Sequence, residues 1–137
     1  MSKPEGTLTP VQHEIMEVVW DRGSRGATVS EIWQAVSAVR SVIRTTVLNL
    51  VDRLEKRGWL IRQRREGAYH YTAVIDRQAT SALLACDFVD DFFGGSASDL
   101  VMSLFGSERL KPEDVHRLRQ LLRTAPTNDD NPEAVER

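Results

Sequence analysis

Between Arg44 and Gly58, Val47, Leu50, Val51 and Leu54 recur at i, i+3, i+4 and i+7, and this spacing constrains the fold more than any other feature of the chain. It predicts a helix over 44–57 with one apolar stripe that has to be buried. The opposite face is left to Arg44, Thr45, Leu48, Asn49 and Arg53. Guanidinium, hydroxyl, methyl and amide groups in that arrangement are the set that meets phosphates and base edges in a DNA major groove. Gly58 ends the helix, and Leu60-Ile61-Arg62-Gln63-Arg64-Arg65 leaves it as an extended, arginine-rich ribbon.

Two helices are predicted ahead of this one. Thr9-Pro10-Val11-Gln12 has an N-cap threonine, a proline at the first helical position and a glutamine placed to close a capping box. Val11, Ile15, Met16, Val18 and Val19 give that helix its apolar positions, and Gly23 with Gly26 ends it. Thr28-Val29-Ser30-Glu31 repeats the capping pattern and opens a second helix, with Ile32, Trp33, Val36 and Val39 expected inward. After Gly58 the period changes from helical to extended, and Glu66-Gly67 separates Trp59–Arg64 from Tyr69–Val74, as in a β-hairpin. Three short helices followed by a hairpin is the order of a winged helix-turn-helix, whose third helix enters the major groove while the wing follows the backbone.

From Asp76 the pattern is helical again. Asp76 is the expected N-cap of a helix carrying Ala79, Leu83, Cys86, Phe88, Val89, Phe92 and Phe93. Gly94-Gly95 interrupts it. Ser96 or Ser98 caps a segment with Leu100, Val101 and Leu104, and Lys111-Pro112-Glu113 opens a last helix with Leu118, Leu121 and Leu122. About 50 residues in three short helices bury little surface alone, so a second copy is expected to cover these side chains. The expected fold is therefore mainly α with a small β-hairpin. A winged helix-turn-helix occupies 1–75, a three-helix dimerisation domain 76–123 and a disordered tail 124–137.

A whole-chain charge of -2 conceals an uneven distribution. Residues 1–75 hold 11 Lys/Arg against 8 Asp/Glu, a net +3, and residues 76–137 hold 7 against 12, a net -5. A basic surface beside an acidic half suits steering toward a polyanion. With 28% charged and 41% hydrophobic residues and no apolar run of membrane-spanning length, a cytoplasmic protein without membrane contact is expected. The single cysteine, Cys86, makes no internal disulfide and is expected as a small buried hydrophobe. His13, His70 and His116 lack ligand spacing, so neither metal nor cofactor is expected. No nucleophile motif, phosphate loop or close carboxylate pair points to an enzyme.

Taken together, Leu8-Thr9, Glu14-Ile15-Met16, Trp20, Thr28, Glu31-Ile32, Thr46-Val47, Arg53-Leu54-Glu55-Lys56-Arg57-Gly58, Tyr71, Gly94-Gly95-Ser96 and Leu100-Val101 resemble the penicillinase-repressor-type regulators, the BlaI/MecI/CopY group. The resemblance spans roughly residues 7–123. It implies a homodimeric repressor with each third helix in one half of a near-palindromic, double-stranded operator, and C-terminal helices that interlock. It further implies a regulatory protease as partner in some members, cutting at the position of Ser103-Leu104, where the best-known cleavable members carry Asn-Phe. Copper-responsive members carry paired C-terminal cysteines, and this chain has Cys86 alone.

Individual roles follow from position. Arg44, Thr45 and Thr46 stand at the start of the third helix, where free amides also favour phosphate, although Thr46 equally suits packing on the second helix. Asn49 matches an adenine edge and Leu48 a thymine methyl. Arg53 and Lys56 suit phosphate, with pairing of Arg53 to Glu31 or Asp52 as the structural option. Arg62, Arg64 and Arg65 suit backbone contact from the wing, and Arg62 equally suits lining the hairpin. Phe88, Phe92, Phe93, Leu100, Val101, Leu104, Leu118, Leu121 and Leu122 are the expected dimerisation surface. The chain thus reads as a DNA-binding transcriptional regulator, with a protein-interaction adaptor as the alternative.

Overall fold

The computed structural model describes residues 4–124, so the expected tail beyond Thr124 lies outside the described residues. The elements run α1 (Pro10–Arg22), a 3-10 turn (Gly23–Arg25), α2 (Val29–Ser37), α3 (Arg44–Lys56), β1 (Leu60–Arg65), β2 (Ala68–Ala73), α4 (Arg77–Phe92), α5 (Ala97–Gly106) and α6 (Pro112–Thr124). Two compact units, Met1–Phe88 and Val89–Arg137, divide inside α4. No helix among the described residues is long and apolar enough to cross a membrane.

Both expected capping boxes form. Thr9 accepts from the Gln12 amide at 3.3 Å while Gln12 accepts from the Thr9 amide at 2.9 Å, and Thr28 and Glu31 repeat this at 3.2 and 2.9 Å. Each closes two amides that the first helical turn leaves without partners, and losing such a threonine costs about 1 kcal/mol. The hairpin is antiparallel, pairing Arg62 with Tyr71 and Arg64 with Tyr69. Its two-residue turn places Glu66 and Gly67 at φ 53° and 80°, the left-handed geometry that matches the twist of the strands.

The core of the first unit joins Ile15, Met16 and Val19 of α1, Ile32 and Val36 of α2, Val47, Val51 and Leu54 of α3, and Trp59, Leu60 and Tyr71 around the hairpin. Full burial of each aliphatic side chain contributes roughly 1.5–3 kcal/mol. The three tryptophans belong to this core or pack against it. Each indole N–H donates to a backbone carbonyl: Trp20 to Ile75 at 3.0 Å, Trp33 to Val42 at 3.1 Å and Trp59 to Glu5 at 3.1 Å.

Two apolar residues stand elsewhere than expected. Val39 is 77% exposed because α2 ends at Ser37 and the chain turns there, the Val39 amide bonding to the Val36 carbonyl. Cys86 is exposed rather than buried. Of α4, only Thr80 and Val89 are buried, so the helical spacing around Cys86 faces no core in the single chain.

In the second unit, Gly94 and Gly95 adopt φ of 58° and 82° and end α4. Ser96 caps α5 through the Asp99 amide at 3.2 Å, and Asp114 caps α6 through the Lys111 amide at 3.1 Å. Neither α5 nor α6 has a buried residue.

Candidate nucleic-acid interface

The interface is built on α3. Burial of Val47, Val51 and Leu54 fixes the rotation of the helix, and Leu50 is half-buried beside them. Arg44, Thr45, Thr46, Leu48, Asn49, Arg53 and Lys56 are thereby all exposed. Thr46 is exposed on this outer face. The N-terminus of α3 differs from those of α1 and α2. Its N-cap, Ile43, makes no side-chain cap, and, as in α1 but not α2, the first turn holds no acidic residue. The free amides and the positive end of the helix dipole lie at the end of α3 that Arg44 opens.

The cations of this face are not equivalent. Among the described residues, Arg44 and Arg53 form no ion pair, because Glu31 is taken by Arg22 at 3.0 Å and Asp52 by Lys56 at 3.0 Å. Both structural partners considered for Arg53 are thus occupied. The Lys56–Asp52 pair is exposed on both sides, so it holds the lysine weakly and leaves it available to a phosphate.

Wing arginines divide in the same manner. Arg62 lies 3.3 Å from the Glu55 carboxylate and its guanidinium carbon is 4.3 Å from the centre of the Tyr69 ring. Arg65 donates to the Ser24 and Arg25 carbonyls at 3.4 Å and to Gln63 at 3.0 Å. Arg64 rests 5.6 Å from the Tyr69 ring and, among the described residues, has no carboxylate partner. Arg57 faces inward to the N-terminal segment. It donates to the Glu5 carbonyl at 3.0 Å and to the Thr7 carbonyl, while the Glu5 amide donates to the Arg57 carbonyl at 3.0 Å.

A groove between α2, α3 and β2 is lined by Ser30, Arg44, Leu48 and Tyr69, among others. Ser30 and Tyr69 are the residues of this face that sequence reasoning did not assign to it. Tyr69 is 41% exposed, whereas Tyr71, two residues on, is buried and pairs with Ala27. The period-two alternation of a half-buried strand was the available signal, since it sends one tyrosine inward and the other outward.

Two titratable groups in this neighbourhood are displaced: a hydrogen bond with Tyr71, assisted by the Glu55 charge, raises the Arg62 guanidinium further above its ordinary value, and Glu31 moves the other way. The Thr28 amide hydrogen bond holds the Glu31 carboxyl below its ordinary value; partial burial opposes this and the Arg22 charge assists it. The carboxylate form therefore locks the start of α2. Among the described residues no cluster of His, Cys, Asp or Glu is placed to hold a metal ion.

The expected dimerisation residues fall on three helices. Phe88, Phe92 and Phe93 are on α4, with Phe92 71% exposed; Leu100, Val101 and Leu104 are on α5; Leu118, Leu121 and Leu122 are on α6, with Leu122 74% exposed. Met102 and Phe105 of α5, which sequence reasoning did not assign, are 68% and 54% exposed. Ser103 is exposed and Leu104 half-buried, both within α5.

Two helices leading into an exposed third, followed by a two-stranded wing, define a winged helix-turn-helix protein. The family model described as penicillinase repressor matches residues 8–124. The chain belongs to the penicillinase repressor family, a family of transcriptional repressors. It is 23% identical over 115 residues to the penicillinase repressor of Bacillus licheniformis, covering 84% of this chain and 88% of that protein. To the transcriptional regulator BlaI of Mycobacterium tuberculosis it is 26% identical over 115 residues, covering 84% and 82%. It is also similar to the solution structure of B. licheniformis BlaI, in its monomeric form in complex with the blaP half-operator, with a TM-score of 0.48 and 23% identity over 57% of this chain and 92% of that one.

Proposed function

We propose that the protein is a cytoplasmic, homodimeric repressor that blocks transcription by occupying a near-palindromic operator, one α3 in each half-site. The observation that carries this is the division of α3. Val47, Val51 and Leu54 anchor the helix, and every polar or charged reader from Arg44 to Lys56 faces solvent beside the wing.

In this reading Asn49 pairs with an adenine edge and Leu48 covers a thymine methyl. Arg44, Thr45 and Thr46 bring hydroxyl and guanidinium donors to the uncapped helix start. Arg53, Lys56 and Arg64 hold phosphates, which position the helix without reading sequence, and Arg65 reaches a phosphate only by giving up its long bonds to the Ser24 and Arg25 carbonyls. Arg62, committed to Glu55 and Tyr69, serves as a strut between wing and helix rather than as a phosphate ligand. None of these roles is enzymatic.

Dimerisation is supported by α5 and α6, which bury no residue of their own yet carry Val101, Met102, Phe105, Leu121 and Leu122 at the surface. Apolar exposure on that scale is normally covered by a partner. Regulatory proteolysis at Ser103–Leu104 would cut inside α5, so a protease would first have to open that helix.

Selection of bound duplexes from a random DNA pool tests the proposal. The expected product is an inverted repeat whose half-sites lie about 10 base pairs apart, or a multiple of that. Failure to enrich any sequence would favour the protein-interaction adaptor instead.

A further inference from the structure

The start of α4 is fastened to α1 by side chains of a single turn. The Trp20 indole donates to the Ile75 carbonyl at 3.0 Å, and Asp76 caps the helix through the Ala79 amide at 2.7 Å. The guanidinium of Arg77 donates to Glu17 at 3.1 and 3.3 Å and to Asp21 at 2.8 Å. Its carbon also lies 5.4 Å from the centre of the Trp20 ring. Thr80, one turn on, is fully buried. Beyond it Ser81, Ala82, Ala85 and Cys86 are exposed and Leu83 and Leu84 only half-buried.

Glu17 and Asp21 are four residues apart on α1, where like charges repel. Arg77 neutralises both at once. A planar guanidinium can present parallel N–H groups to two carboxylates, which a lysine cannot do with the same geometry. Because all these groups are substantially exposed, the cluster adds little to global stability. Its effect is on direction. A helix of 16 residues is about 24 Å long at 1.5 Å per residue. A tilt of roughly 10° at its first turn moves the far end by about 4 Å, more than the 3.4 Å rise of one base pair.

We propose that Arg77 is a positioning residue: by gripping Glu17 and Asp21 it fixes the direction in which α4 leaves the winged helix, and so the half-site spacing that the dimer accepts. This rests on the dimeric repressor reading above. The full-length protein is titrated against fluorescent duplexes taken from the selected operator: the native spacing, the same half-sites with one or two base pairs inserted or deleted, and a single half-site. Wild type discriminates sharply among the spacings. Arg77→Ala is expected to bind the single half-site within twofold of wild type, to lose about tenfold on the native spacing, and to discriminate little among the altered ones. Glu17→Ala/Asp21→Ala, which leaves the arginine but removes its acceptors, is expected to reproduce that pattern. Equal losses on half-site and full operator, or wild-type spacing dependence in both variants, would overturn the proposal. A wild-type protein that binds paired and single half-sites alike would overturn the dimeric reading, and the role of Arg77 with it.

Discussion

Glu55 of α3 and Arg62 of β1 form a 3.3 Å ion pair, so α3 and the wing are coupled through a cation that the proposed function would otherwise leave to a phosphate. Arg64, two residues further along the same strand, lies beside the Tyr69 ring and has no carboxylate partner among the described residues. The two arginines should therefore respond differently to salt. Each phosphate contact contributes about 0.9 to the slope of log affinity against log salt. Arg64→Ala is expected to lower that slope by about one per subunit, while Arg62→Ala weakens binding with the slope nearly unchanged. Anisotropy titrations across a potassium chloride series distinguish them, and equal slope losses would place Arg62 on phosphate.

Leu54 is fully buried on the inner face of α3. Leu54→Ala is expected to destabilise the protein by about 2–5 kcal/mol, since the removed methyl groups leave a cavity between packed helices. Urea unfolding measures this. A change below roughly 0.5 kcal/mol, the range of neutral surface substitutions, would mean that this face does not carry the core.

Glu31 gives a dependence on acidity. Its carboxyl is held below 4.5 in the folded chain, so the unfolded state binds the proton more readily and folding is favoured by the charged form. The stability that it contributes is complete above pH 4.5 and is lost as pH falls through the lower, folded value. Thermal unfolding of wild type and Glu31→Gln should therefore differ most above pH 4.5, with wild type the more stable, and converge as pH falls through the lower, folded value. A constant difference across that range would contradict the assignment.

Leu122 is 74% exposed on α6. In the dimeric reading it is covered by the second copy, and Leu122→Glu places an unpaired carboxylate in that contact. Sedimentation equilibrium should find wild type dimeric at micromolar concentration and the variant at least tenfold more dissociated. A monomeric wild type would remove the dimer from the account.

Features set by near neighbours in sequence were legible in advance. Thr9 with Gln12, Thr28 with Glu31, the Glu66-Gly67 turn and the Val47–Leu54 stripe each depend on residues at most seven positions apart, so spacing alone carries the geometry. The arginines show the limit. Arg57 is bound by Glu5 and Thr7, Arg65 by Ser24 and Arg25, and Arg77 by Glu17 and Asp21, partners about 40 to 60 residues away that meet only once the chain has folded. Sequence placed a strong positive charge at the wing but had no means of separating Arg64 from its engaged neighbours. Val39 was misplaced for a related reason: a helical period identifies a face, and no stop signal after Ser37 marks where that face ends.

The claim that the outer face of α3 reads sequence is tested most directly by comparing wild type with Asn49→Ala on the selected operator and on a scrambled duplex of the same length. The expected result is a loss of about 1–3 kcal/mol on the operator, with binding to the scrambled duplex unchanged, because Asn49 meets a base edge and no phosphate. Equal losses on both duplexes, or no loss on either, would contradict it.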